Sequence, residues 1–109
     1  MELNEYQAEA LSTAIYPNDN KVEYLALALC GEAGEVADKV KKIIRDHNGD
    51  FSDKDTRDRI AYELGDVLWY AANLANAIGY TLSDIAEINL QKINSRAQRG
   101  TLHGSGDNR

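Results

Sequence analysis

Proline occurs once in this chain of 109 residues, at Pro17, so little interrupts a helical backbone on either side of it. Cysteine also occurs once. Cys30 has no partner in the chain, which excludes an internal disulfide and fits a reducing compartment. Basic residues are outnumbered, 12 Lys and Arg against 18 Asp and Glu, for a net charge of −6. Without a basic footprint, binding a nucleic-acid polymer as the main task is disfavoured, although a single nucleotide whose phosphates are carried by metal stays open. No run of about 18 apolar residues is present and no N-terminal signal pattern is seen, so no membrane partner is expected. These absences predict a soluble, cytoplasmic protein.

What remains is a globular composition, 43% hydrophobic and 28% charged, sized for one domain and one modest core. Four helices account for it. The first is expected over about 5–15, with Asn4 as N-cap and Gln7 completing a capping box; Leu3, Tyr6, Ala10 and Ala14 form its apolar side. Pro17 and Asn18-Asp19-Asn20 break it. The second is expected over 21–47, where Val22, Ala26, Leu29, Ala33, Val36, Val40 and Ile43 recur in steps of four and three. Asn48-Gly49-Asp50 ends it, and Ser52 or Asp53 can cap the third, expected over 54–78. There Ile60, Leu64, Val67, Ala71, Leu74 and Ile78 repeat the rhythm, and Gly79 is a natural C-cap. Thr81 and Asp84 open a fourth helix running to about Arg96. Residues 1–99 thus form the domain, and 100–109 a glycine-rich tail. The fold class is all-α, a four-helix bundle-like protomer built on a long antiparallel hairpin. Tyr24, Leu25, Leu27 and Ala28 widen the apolar arc of the second helix beyond one seam. A homodimer, or a homotetramer as a dimer of dimers, follows.

Two carboxylate pairs stand inside these apolar segments. Glu32 and Glu35 lie in LCGEAGEV, and Glu63 and Asp66 in AYELGDVL. The i, i+3 spacing points both members of a pair the same way on a helix. Glu32 and Glu63 border the seams, while Glu35 and Asp66 lie toward the accessible edge. In a hairpin closed near residues 48–53 the two pairs fall at similar heights. Four acids so placed repel one another and lose hydration, which a bound cation relieves. Ferritin-like sites add Glu-x-x-His motifs, but His47 and His103 are not spaced in that way. An all-carboxylate site suits Mg²⁺, with Mn²⁺ as substitute, and Mg²⁺ is commonly shared with substrate phosphates. Gly31, Gly34 and Gly65, each costing about 1 kcal/mol in a helix, suggest close approach of backbone or ligand at the acids.

The order E-x-x-E, a gap of 27 residues, then E-x-x-D resembles the MazG-like nucleotide pyrophosphohydrolases of the all-α NTP pyrophosphatase superfamily. GEAGEVADKVKK and ELGDVLWYAANLANAIG carry the resemblance most specifically, within a stretch from about Tyr6 to Arg96. It implies Mg²⁺-dependent hydrolysis of a nucleoside triphosphate to monophosphate and pyrophosphate, as nucleotide-pool control or house-cleaning. Two or more ions held by Glu32, Glu35, Glu63 and Asp66 would serve attack by water at the α-phosphorus, with Glu35 the first choice for general base. The final-helix run Asn89, Lys92 and Arg96 resembles the family's phosphate-contacting helix.

Other residues are candidates on position alone. Lys39 can pair with Glu35 or touch a phosphate. Tyr70 and Asn73 continue the face of Glu63 and Asp66 toward a sugar or base, Asn76 more weakly. Trp69 can stack on a base or pack in the core. The tail can fold over a neighbouring site or remain loose. Two other readings compete: a dUTPase-like or phosphoribosyl-nucleotide hydrolase of the same superfamily, and a non-catalytic helical regulatory or interaction protein whose seams are its whole function.

Overall fold

The computed structural model describes residues 1–109. Its elements are α1 (Leu3–Ser12), α2 (Lys21–His47), α3 (Lys54–Ala77) and α4 (Leu82–Gln98), with no strand. The all-α hairpin architecture is as expected. α3 is the hub: α1, α2 and α4 all pack on it, α1 also touches α4, and α2 packs on α3 alone.

The hairpin turn is built by local chemistry. Asn48 and Gly49 adopt left-handed conformations, φ 54° and 67°, and the Gly49 N–H donates to the Ile43 carbonyl at 3.1 Å, which closes α2 in a Schellman-like way. Asp50 accepts from the Ser52 N–H and hydroxyl. Asp53 then caps α3 by accepting from the Thr56 N–H at 3.2 Å. Thr81 and Asp84 form the complete capping box expected for α4.

α1 departs from expectation at both ends. It starts at Leu3 after Glu2, with no side-chain cap, and stops at Ser12. The Ser12 and Thr13 hydroxyls donate back to the Glu9 and Ala10 carbonyls, offering the backbone an exit from the helix. Asn4 and Gln7 do not form a capping box; both tie α1 to distant chain. Asn4 Oδ1 accepts from the Ser83 N–H at 3.0 Å. Gln7 is buried, donates to the Ala72 and Tyr80 carbonyls and accepts from the Leu82 N–H, at 3.0–3.2 Å. Around it lies the core of Ala10, Ala72 and Leu82, with Tyr6 and Trp69 packed against it.

The seams keep Leu29, Val36, Val40 and Ile43 on α2 and Ile60, Val67, Ala71 and Leu74 on α3 as read off the apolar rhythm, and depart from it at the remaining positions. On α2 the inward residues are Leu25, Leu29, Glu32, Val36, Val40 and Ile43, while Val22, Ala26 and Ala33 are exposed. On α3, Ile60, Glu63, Val67, Ala71 and Leu74 turn inward, and Leu64 and Ile78 are about half exposed. In both helices a glutamate occupies a place that hydrophobicity alone assigns to a neighbouring Ala or Leu.

A protomer with only 8 of 109 residues buried is thinly covered. Its radius of gyration is 16.7 Å, against about 13 Å for a compact chain of this length. Its accessible surface is 7830 Å², against roughly 6,000 Å² expected for its mass.

Gln7→Met keeps the side-chain volume but removes three hydrogen bonds from a buried junction. It should cost about 2–4 kcal/mol, read as a lowered Tm at fixed protein concentration. An unchanged Tm would show that water or backbone shifts replace the Gln7 amide.

Candidate metal centre

The packed seams bring acids from both helices together. Glu32 lies between Leu29 and Val36 on α2, and Glu63 between Ile60 and Val67 on α3, so the packing that closes the hairpin turns both carboxylates toward each other. One carboxylate oxygen from each of Glu32, Glu63 and Asp66 lies within 4.8 Å of the others. Glu32 and Glu63 are half-buried and Asp66 is exposed. Glu35, the fourth expected ligand, is exposed and outside this trio, yet close enough for its charge to act on Glu32.

The electrostatics register the crowding. Lost hydration pushes the Glu32 carboxyl above the usual range, and the charges of Asp66, Glu63 and Glu35 add to the effect. The Tyr70 phenol is raised by lost hydration first, then by Tyr24, Glu32 and Asp66. Tyr6, read from sequence only as part of the apolar side of α1, is raised by lost hydration and by Asp66. The one cation against the trio is Lys39, whose Nζ lies 3.8 Å from Glu63 Oε1. Lys39 thus pairs across the hairpin with Glu63 instead of along the helix with Glu35. Hard oxygen donors from two helices, with negative charge in excess and no imidazole or thiolate among them, fit a divalent cation.

The other candidates divide. Tyr70 stays beside the acids. Asn73 is completely buried, donating to the Trp69 carbonyl at 3.0 Å and accepting from the Tyr16 hydroxyl at 3.1 Å; both contacts are internal ties, and no surface of it remains for a ligand. Trp69 packs on the Ala10, Ala72 and Leu82 core and donates from Nε1 to Thr13 Oγ1 at 3.0 Å. Asn76 is exposed. Asn89 and Lys92 are exposed on α4, which does not touch α2. Arg96 donates from Nη2 to the Asp107 carbonyl at 2.9 Å. The tail curls on itself: the Arg109 guanidinium donates to the Thr101, Leu102 and Gly106 carbonyls. Around Gly31, Gly34 and Gly65 nothing lies within 4 Å of where a Cβ would stand. The expected close approach at these glycines is therefore not made within the protomer.

A carboxylate with a raised pKa binds its proton more tightly in the folded state, so its contribution to stability falls as pH rises through the glutamate range. Glu32→Gln removes that opposition. In the presence of chelator the variant should melt above the parent at neutral pH, and the gap should close as pH falls below the carboxylate range. Adding Mg²⁺ or Mn²⁺ should raise the parent's Tm more than the variant's. A variant less stable than the parent in chelator at neutral pH, with an equal response to metal, would contradict the crowded-acid account.

The MazG nucleotide pyrophosphohydrolase domain family matches residues 20–101, which include the hairpin, all four acids and α4. The "Gene 37 protein" of Mycobacterium phage L5 is 46% identical over 115 residues, covering 100% of both chains. No solved structure was found to match. No helix is long and apolar enough to cross a membrane. With paired acidic helices at its centre and a family match over most of its length, the chain belongs to the MazG nucleotide pyrophosphohydrolase family.

Proposed function

We propose that this protein hydrolyses a (deoxy)nucleoside triphosphate to the nucleoside monophosphate and pyrophosphate, with Mg²⁺, or Mn²⁺ in its place, at the Glu32–Glu63–Asp66 cluster. The observation that carries this reading is the meeting of those three carboxylates within 4.8 Å across two helices in a chain of this family. Glu32, Glu63 and Asp66 would hold the metal, and Glu35 would complete the set from the rim. Bound metal would supply charge neutralisation on the polyphosphate and favour attack by water. Glu35, exposed at the rim, would take the proton from that water. The new bond forms between the water oxygen and the α-phosphorus. The bridging bond to the β-phosphate breaks and pyrophosphate departs. The assigned setting is nucleotide-pool control in the cytoplasm, which suits the single unpaired Cys30.

We further propose that the active form is a dimer or a dimer of dimers. The excess of accessible surface over a compact chain, roughly 1,800 Å², exceeds what one partner commonly buries in a standard-sized interface, about 800 Å². Leu27 is 74% exposed on α2. An apolar groove runs along α3 past Ala61, Leu64, Gly65, Leu68 and Ala71. The missing Cβ of Gly65 leaves room there for a second helix.

Glu35→Gln and Asp66→Asn should each lower turnover by about 100-fold or more while helicity by circular dichroism persists. Full activity in both would remove these residues from the site. Hydrolysis in ¹⁸O-water should label the monophosphate. Label in free phosphate, or a nucleoside diphosphate as first product, would place attack at the γ-phosphorus. A screen across nucleotides reading pyrophosphate release identifies the base and tests the dUTPase-like alternative. In sedimentation, a stable monomer at micromolar concentration would refute the assembly.

A further inference from the structure

Asn48 is the one asparagine of this chain that a glycine follows, and it stands exposed where the hairpin closes. An Asn-Gly pair carries a reaction of its own. The backbone nitrogen of the second residue, once its proton is lost, can attack the asparagine Cγ and close a five-membered ring. A Cβ on the second residue crowds that approach, and glycine has none. The other asparagines precede Glu, Asp, Lys, Leu, Ala, Ser or Arg.

The native turn holds this reaction off in two ways. Asn48 sits at φ 54° and ψ 28°. For an L residue that ψ sets the next nitrogen nearly anti to Cβ about the Cα–C bond, whereas ring closure needs the two nearly eclipsed. The Gly49 N–H also donates to the Ile43 carbonyl at 3.1 Å, which retains its proton and aims it back along α2. The ring therefore closes only after the turn opens, with the bond to Ile43 broken and Asn48 rotated out of its left-handed conformation. Ile43 is buried beneath the turn, and α2 packs on α3 alone. The contacts that keep the turn shut are thus those that hold the two helices together.

We propose that Asn48 is a self-modifying site whose reaction is gated by opening of the hairpin. The Gly49 nitrogen bonds to Asn48 Cγ, the Cγ–Nδ2 bond breaks, and Nδ2 leaves as ammonia with protons from solvent. Water then opens the resulting succinimide at either carbonyl, leaving an aspartate at position 48 or its β-linked isomer. Either product puts a negative charge at the C-terminal end of α2, where the helix dipole disfavours it. The β-linked product also inserts a carbon into the backbone, so the Gly49 N–H no longer meets the Ile43 carbonyl in the same turn. Each event loosens the hairpin in which it occurs, and the loss of ammonia makes it one-way. The proposal is independent of the reaction assigned to the acidic cluster.

The test follows position 48 by peptide mapping and mass spectrometry in the full chain, held in chelator at mildly alkaline pH, either folded or unfolded in guanidinium chloride. Unfolded, Asn48 should convert before any other asparagine. Folded, it should convert more slowly by about tenfold or more, because only the open fraction reacts. Ile43→Val trims the side chain beneath the turn. It should speed conversion in the folded chain by about two- to tenfold and leave the unfolded rate unchanged. The β-linked product should melt below the Asn48→Asp variant, which carries the charge without the extra carbon, and that variant below the parent. Equal rates in the folded and unfolded chain, earlier conversion of another asparagine in the unfolded chain, an Ile43→Val chain no faster than the parent, or a converted chain that melts with the parent would each overturn the proposal.

Discussion

The mutual repulsion of Glu32, Glu63 and Asp66 is the constraint on which the rest of this protomer turns. These carboxylates stand where the two longest helices meet, and α2 has no other helix to pack on. An ordinary hairpin would place Leu or Val at such heights and draw cohesion from their burial. Here the seam has apolar stretches on either side of a charged centre, with Lys39 the one nearby cation. Cohesion of α2 with α3 therefore depends on Leu25, Leu29, Val36, Val40 and Ile43 and on the turn at Asn48 and Gly49. A cation bound among the acids would couple its own binding to the stability of the hairpin.

That arrangement makes the other end of α3 do the anchoring. Gln7, Asn4, Trp69, Asn73 and Tyr16 are polar or amphipathic groups whose hydrogen bonds join segments more than fifty residues apart in sequence. With so few residues buried, apolar area alone holds α1 and α4 weakly. Directional bonds at the Ala72–Tyr80–Leu82 junction fix their placement instead. Each such bond adds modestly to stability, but leaving its buried partner unsatisfied is expensive, so the network specifies position more strongly than it adds stability.

The legible part of this fold was its local chemistry. The bounds of α2, the Asp53 cap, the Thr81–Asp84 capping box and the turn at Asn48–Gly49 rest on residues whose backbone preferences act over a few positions. The seam phase was less legible. Counting apolar residues put Ala33 and Leu64 in the seams and left Glu32 and Glu63 at their borders, because periodicity does not show which of two neighbours faces the partner helix. The acids were recognisable as a constellation, but the exposure of Glu35 and the pairing of Lys39 with Glu63 are matters of rotation about the helix axis, which spacing leaves open by tens of degrees. Asn73 and Trp69 show the same limit. Asn73 continues the acidic face of α3, which suggested ligand contact, but Tyr16 from the first interhelical segment ties it inside; Trp69, read as stacking on a base or packing in the core, is half-buried against that core. Gln7 was read as a local cap because the residues it binds are distant in sequence.

A single gradient along the hairpin links these features. From its open end the paired helices present tyrosines, then carboxylates, then Lys39, Lys42 and Arg59 interleaved with Asp38, Asp46 and Asp55. The order follows from antiparallel pairing: Tyr24, Glu32 and Lys39 ascend α2 while Tyr70, Glu63 and Arg59 descend in the opposite chain direction on α3.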